Sequence, residues 1–167
     1  IKVSRINLQN KLHEVRLHTD SIIYPGLYKI RLTFSAKISK EMLGIYKSNF
    51  TDKGKKKSLI ATQFESHHAR KAFPCIDEPS AKATFDLTLI TDKSDIVLSN
   101  MEEDSTKLIN SRKITTFKTT PKMSTYLLAF VTGDMHYIES KAKDGTIIRS
   151  WACSARDKTH LQYSVDE

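Results

Sequence analysis

An all-β domain, built as an antiparallel sandwich or saddle-shaped sheet, is the fold class this sequence predicts. Three observations predict it. Tyr28, Ile30, Leu32 and Phe34 alternate with Lys29, Arg31 and Thr33, and Phe85, Leu87 and Leu89 alternate with Thr84, Asp86 and Thr88. A period of two puts one set of side chains in a core and the other in water. Turn-forming clusters recur every ten or so residues, about the interval of short antiparallel strands. No stretch carries a sustained helical period; only Ser39 to Leu43 and a turn near Ser66 to Lys71 suggest short helical pieces.

The elements follow in order. Ile1–Leu8 and Val15–Ile22 read as the first two strands. Tyr24-Pro25-Gly26 is a turn before the strand that starts at Leu27. Gly44–Asn49 and Ile60–Glu65 flank Thr51-Asp52-Lys53-Gly54, a hairpin loop. Asp95–Ser99 and Ile114–Lys118 are shorter strands. Tyr126–Val131 is apolar on both faces, as a central strand is. Lys143-Asp144-Gly145 turns the chain into a strand through Ile147, Arg149 and Trp151.

The 167 residues fit one domain, residues 1–167. The chain opens inside a strand-like pattern without an initiator Met, which suggests a piece of something longer. No apolar run reaches the length of a membrane span. The formal charge is +8, but the lysines are dispersed except at Lys53–Lys57, which reads as a solvated loop. No aromatic platform interleaves with the basic residues, so nucleic acid is not an expected partner. Two cysteines, Cys75 and Cys153, make no disulfide framework and read as free thiols, which favours a cytoplasmic setting. Asn49-Phe50-Thr51 is a glycosylation triplet of a kind that arises often by chance.

The segment from Ala61 to Phe85 differs from its surroundings, being dense in charged and turn-forming residues. Gln63 and Glu65 are spaced i, i+2, which places both on one face of a strand. Arg70 with an acidic partner such as Asp77, and with Glu78 nearby, would stiffen the loop that follows, and Pro74 and Pro79 restrict it further. Cys75 reads as a small buried hydrophobe. His67 and His68, if on a strand, point to opposite sides.

This segment resembles the "TQFE…AR…AFPC.DEP..KA.F" stretch of the M1 zinc aminopeptidases, of the membrane alanyl and puromycin-sensitive kind. Leu43-Gly44-Ile45-Tyr46-Lys47-Ser48 resembles the family's "L.G.YRS" strand, Leu98-Ser99-Asn100-Met101 its "LSNM", and Thr120 to Phe130 its "TPKMSTYLLAF". Four motifs in the family's order make a specific signal, running from about Gly26 to Phe130. The resemblance implies a β-rich N-terminal domain, lacking its first strands, that packs before a zinc-binding catalytic domain absent from the chain. It implies that Glu65 and Gln63 reach into the active site of that catalytic domain, its partner, where Glu65 binds the free N-terminus of a peptide and Gln63 offers hydrogen bonds at the pocket of the first side chain. It also implies zinc in the catalytic domain of the parent and none in this fragment.

The zinc motif H-E-x-x-H is missing. His13-Glu14-Val15-Arg16-Leu17-His18 is a near miss whose second histidine falls at i+5, about 140° around a helix from the first. The family's "GAMEN" strand is missing too. The fragment is therefore expected to be inactive alone, with no catalytic residue and no metal ligand of its own. A noncatalytic M1-like interaction module is the alternative. The anchor at Glu65 argues against it, because a pure scaffold has no use for a group that binds amines.

Overall fold

In the computed structural model, which describes residues 1–166, the strands assemble as antiparallel pairs. β1 (Val3–Gln9) and β2 (Glu14–Thr19) form a hairpin, as do β3 (Gly44–Asp52) and β4 (Lys55–Gln63). There follow β5 (Lys82–Ala83), β6 (Thr88–Asp92), β7 (Ile96–Ser99), β8 (Glu103–Ile109), β9 (Arg112–Phe117), β10 (Met123–Ser124), β11 (Phe130–Gly133), β12 (Met135–Lys141) and β13 (Ile147–Cys153). The central sheet has the order β3-β4-β11-β7. A second has the order β6-β9-β8, and β5 with β10 and β12 with β13 form two-stranded pairs.

The hairpins follow their turn chemistry. Lys53 and Gly54 both take positive φ, 47° and 77°, between the paired Asp52 and Lys55. That is the mirror-image turn whose twist matches its strands. Lys53, Lys55 and Lys56 are exposed. Lys57 leaves the solvated run, because its Nζ lies 2.5 Å from both Asp52 and Asp134. Gly133 (φ 144°) has no room for a side chain: an added Cβ would stand 2.6 Å from Leu59 Cδ2 and 3.0 Å from the Ser58 carbonyl.

The alternation that predicts the strand from Phe85 to Leu89 marks burial throughout, with Phe85, Leu87 and Leu89 more buried than Thr84, Asp86 and Thr88. The alternation at Tyr28–Phe34 does not produce a strand. That segment pairs with nothing among the described residues, and Tyr28, Ile30, Leu32 and Phe34 are all exposed. A pattern of side chains specifies which face goes inward, but a strand forms only where a backbone edge receives its hydrogen bonds.

Other expectations change in detail. The apolar run from Tyr126 starts with a 3₁₀ turn, Thr125–Leu127, and becomes a strand only at Phe130; β11 then lies between β4 and β7. No helix forms at Ser39–Leu43, because the Ser39 hydroxyl accepts from the Glu41 amide (3.0 Å) and the Ser39 amide donates to the Ile45 carbonyl (2.7 Å). Serine competing for local amides in this way disfavours a helix. Both cysteines are free and half-buried.

The core that bears on function comprises Phe64, Ala69, Ala72 and Leu128, with Ile45, Phe73, Cys75, Phe85, Met123 and Tyr126 packed against it. It lies where the end of β4 meets the loop that follows.

Candidate functional site

β4 carries the chain to Gln63, which pairs with Gly44 at the start of β3. Beyond it the alternation runs one step further. Gln63 and Glu65 are exposed, while Phe64 between them is 1% exposed. The buried ring fixes the backbone, and the same geometry turns both polar side chains outward. The Glu65–Ser66 peptide is cis.

The chain then turns sharply. The His68 amide donates to the Phe64 carbonyl (2.8 Å), and a short 3₁₀ helix, Ala69–Lys71, follows. Ala69 is completely buried. The Ala72 and Phe73 amides both donate to the Ala69 carbonyl, at 2.8 and 3.1 Å. Phe73 thereby returns to Phe64, with ring centroids 5.9 Å apart at 71°, the favourable edge-to-face arrangement. Gly44, at φ 73°, accommodates this turn: a Cβ there would meet Lys71 Cβ at 3.1 Å.

Arg70 and Asp77 close the loop. Asp77 Oδ2 accepts from the Arg70 backbone amide (3.0 Å) and from its Nε (2.9 Å), while Arg70 Nη2 donates to the Asp77 carbonyl (3.1 Å). The Asp77 side chain is 4% exposed and that of Arg70 is 28% exposed. Glu78 is exposed and stands outside this pair; its carbonyl accepts from the Ala81 amide. Truncating Asp77 removes a buried carboxylate that satisfies two donors, while the half-exposed guanidinium can turn to water. Asp77→Ala should therefore cost about 2 kcal/mol, below the about 3–5 kcal/mol of a fully buried pair. Denaturant unfolding of the variant checks this, and an unchanged midpoint would show that the pair contributes nothing.

Supports that the sequence reading passed over come from the Thr120–Leu127 segment. Ser124 Oγ donates to the Pro79 carbonyl (2.6 Å), Thr125 Oγ1 to the Ile76 carbonyl (3.2 Å), and Thr120 Oγ1 accepts from the Phe85 amide (2.9 Å). All three residues are buried. The available signal was hydroxyl residues beside an apolar run, where each buried hydroxyl needs a partner. Cys75 lies in the same loop. Burial, aided by the Asp77 charge, pushes its thiol up to about 11, so it stays protonated at neutral pH and is no nucleophile.

His67 and His68 do not point to opposite sides, because they sit in the turn rather than on a strand. Their rings stack with centroids 4.5 Å apart and planes 38° apart, and Ser66 Oγ lies 2.8 Å from His67 Nδ1. His13 closes the turn between β1 and β2 at φ 54°, and His18 lies on β2 with both ring nitrogens 3.4 Å from Arg5 Nη2. Among the described residues no three His, Cys, Asp or Glu side chains converge as metal ligands. These residues therefore do not fit a zinc site, and no chemical step is assigned to a metal in this chain.

Residues 1–127 match the sequence model of the peptidase M1 N-terminal domain. The chain is 47% identical over 144 residues to an aminopeptidase N of Lactococcus lactis subsp. lactis, which covers 84% of this chain and 17% of that protein. It is 39% identical over 160 residues to a puromycin-sensitive aminopeptidase of Caenorhabditis elegans, covering 94% of the chain and 17% of that protein. It is 40% identical over 151 residues to a human aminopeptidase N, covering 87% of the chain and 16% of that protein. The chain thus spans about a sixth of the length of the relatives it matches.

Proposed function

Since this chain belongs to the peptidase M1 N-terminal domain family, we propose that it is the substrate-anchoring domain of a zinc-dependent aminopeptidase, which removes N-terminal residues from peptides. The observation that carries the reading is the outward presentation of Gln63 and Glu65 on either side of the buried Phe64. The Gln63 amide and the Glu65 carboxylate are held there by the backbone while staying exposed to meet a partner.

The chemistry follows from the charge. A peptide's N-terminus is an ammonium, whereas every internal nitrogen is a neutral amide. A carboxylate facing the ammonium gains a charge-assisted hydrogen bond that an internal segment cannot offer. Once a catalytic domain covers the pair and excludes water, the attraction strengthens. It also fixes the distance from the amine to the first peptide bond, which is catalysis by positioning. Gln63, able both to donate and to accept, borders the pocket of the first side chain. The ion pair of Arg70 and Asp77 holds the loop behind Glu65, and the zinc chemistry belongs to the catalytic domain. This chain alone is proposed to have no turnover.

The test uses the full-length protein and two peptides that differ only at the N-terminus. The free-amine peptide should lose its first residue, and the Nα-acetylated one should be cleaved at least about 100-fold more slowly, about 2.7 kcal/mol of lost anchoring. Equal cleavage of both would overturn the anchoring role.

A further inference from the structure

We propose that the His67–His68 stack is a proton-sensitive latch on the turn that presents Glu65. With the His68 ring neutral the turn is held; its protonation releases the turn and weakens the binding of a peptide amine. The inference rests on the anchoring role proposed for Glu65.

The geometry carries it. His68 begins the turn: its amide is bonded to the Phe64 carbonyl, one residue before Glu65, and its carbonyl accepts from the Lys71 amide (3.1 Å). Its ring faces the His67 ring at 4.5 Å. Its Nδ1 is buried and has no hydrogen-bond partner among the described residues. A neutral imidazole can leave Nδ1 as a bare acceptor by carrying its proton on Nε2. The cation must carry a proton on both nitrogens. Protonation would therefore place a buried N–H donor where nothing accepts it, which is the costlier way to leave a polar atom unpaired.

The surrounding positive charges act in the same direction. Lys71 and Arg70 follow on the same turn, His67 lies against the ring, and the Asp77 carboxylate opposes them from the far end of the loop. From β3 the neighbour is Gly44, which brings no charge. Asp77 alone favours the cation, and its carboxylate is already committed to Arg70. Burial first, then His67 and Lys71, hold His68 below the ordinary histidine value of 6.5. The sign follows: a base whose folded value is depressed stabilises the fold fully above 6.5, and that contribution is lost as the pH falls from there through the folded value. His68 is a positioning residue in this scheme, since it acts on the amine only through the backbone that holds Glu65.

The experiment measures KM and kcat of the full-length aminopeptidase against pH, with a free-amine peptide, for the wild type and for His68→Asn. Asparagine keeps a polar group near Nδ1 but does not titrate. The wild-type KM should rise at least about threefold more than the variant's between about pH 7.5 and pH 5.5, across the ordinary histidine range, with kcat falling in parallel in both. Superimposable KM profiles would overturn the latch. If they superimpose while Glu65→Ala abolishes amine binding, the latch fails and the anchor stands. If Glu65→Ala is fully active, both fail. If His68→Asn does not fold, proton NMR of the wild-type His68 ring decides, and a midpoint at or above the ordinary 6.5 overturns the proposal.

Discussion

Glu65→Ala, in the full-length protein, should lower kcat/KM for free-amine peptides on the order of 100-fold, because truncating one partner of a desolvated charge pair costs about 2–5 kcal/mol. The loss has three parts. The peptide ammonium forfeits its charge-assisted bond, it stays buried without a counter-charge, and the scissile bond loses its fixed distance from the reacting centre. Glu65→Gln should fall less, since the amide oxygen still accepts a hydrogen bond but carries no charge. Zinc content should be unchanged in both variants. The folding stability of this domain should be unchanged too, because Glu65 is exposed in it and exposed substitutions stay within about 0.5 kcal/mol. This pattern separates anchoring from a structural role, and kcat/KM within about threefold of wild type, roughly 0.65 kcal/mol, would remove Glu65 from the substrate site.

Phe64→Ala should act through the opposite property. The ring is 1% exposed, packs with Ala69, Ala72 and Leu128, and meets Phe73 edge to face. Deleting it removes transfer free energy and leaves a cavity, together about 3–5 kcal/mol. At about 2–4 °C per kcal/mol for a domain of this size, the melting temperature should drop by about 10 °C. Activity should fall as well, since Phe64 is the fixed point between Gln63 and Glu65. Differential scanning calorimetry checks the first effect and peptide hydrolysis the second. A melting temperature within about 2 °C of wild type, less than about 1 kcal/mol, would show that the turn is held by its hydrogen bonds rather than by the core.

The exposure of Gln63 and Glu65 and the pairing of Arg70 with Asp77 are legible because their signals are local. The i, i+2 spacing of Gln63 and Glu65 predicts one shared strand face; β4 ends at Gln63, Glu65 lies in the turn beyond it, and both are exposed on either side of the buried Phe64. Opposite charges seven residues apart, in a loop too charged to be buried unpaired, pointed to Arg70 and Asp77, which meet at 2.9 Å. Elements without an apolar period were not legible. β8 runs Glu103-Asp104-Ser105-Thr106-Lys107-Leu108-Ile109 and is exposed throughout, so only its pairing with β9 makes it a strand. In β12, where burial alternates, Tyr137 lies against its cross-strand partner Trp151 with ring centroids 4.4 Å apart, and Arg149 bonds to Glu139 at 2.7 Å. Such cross-strand contacts depend on register, which no single segment contains.

The sequence by itself determined the strand-rich class and the turn positions, because side-chain period and backbone dihedral preference are properties of neighbouring residues. Tertiary structure decided the rest. Whether Tyr28–Phe34 becomes a strand, whether His67 and His68 part or stack, and whether Lys57 stays in water or joins Asp52 and Asp134 all depend on what stands opposite in space. A hydrogen bond, a stack or an ion pair needs two groups, and the chain brings distant partners together only once the core around Phe64 has closed.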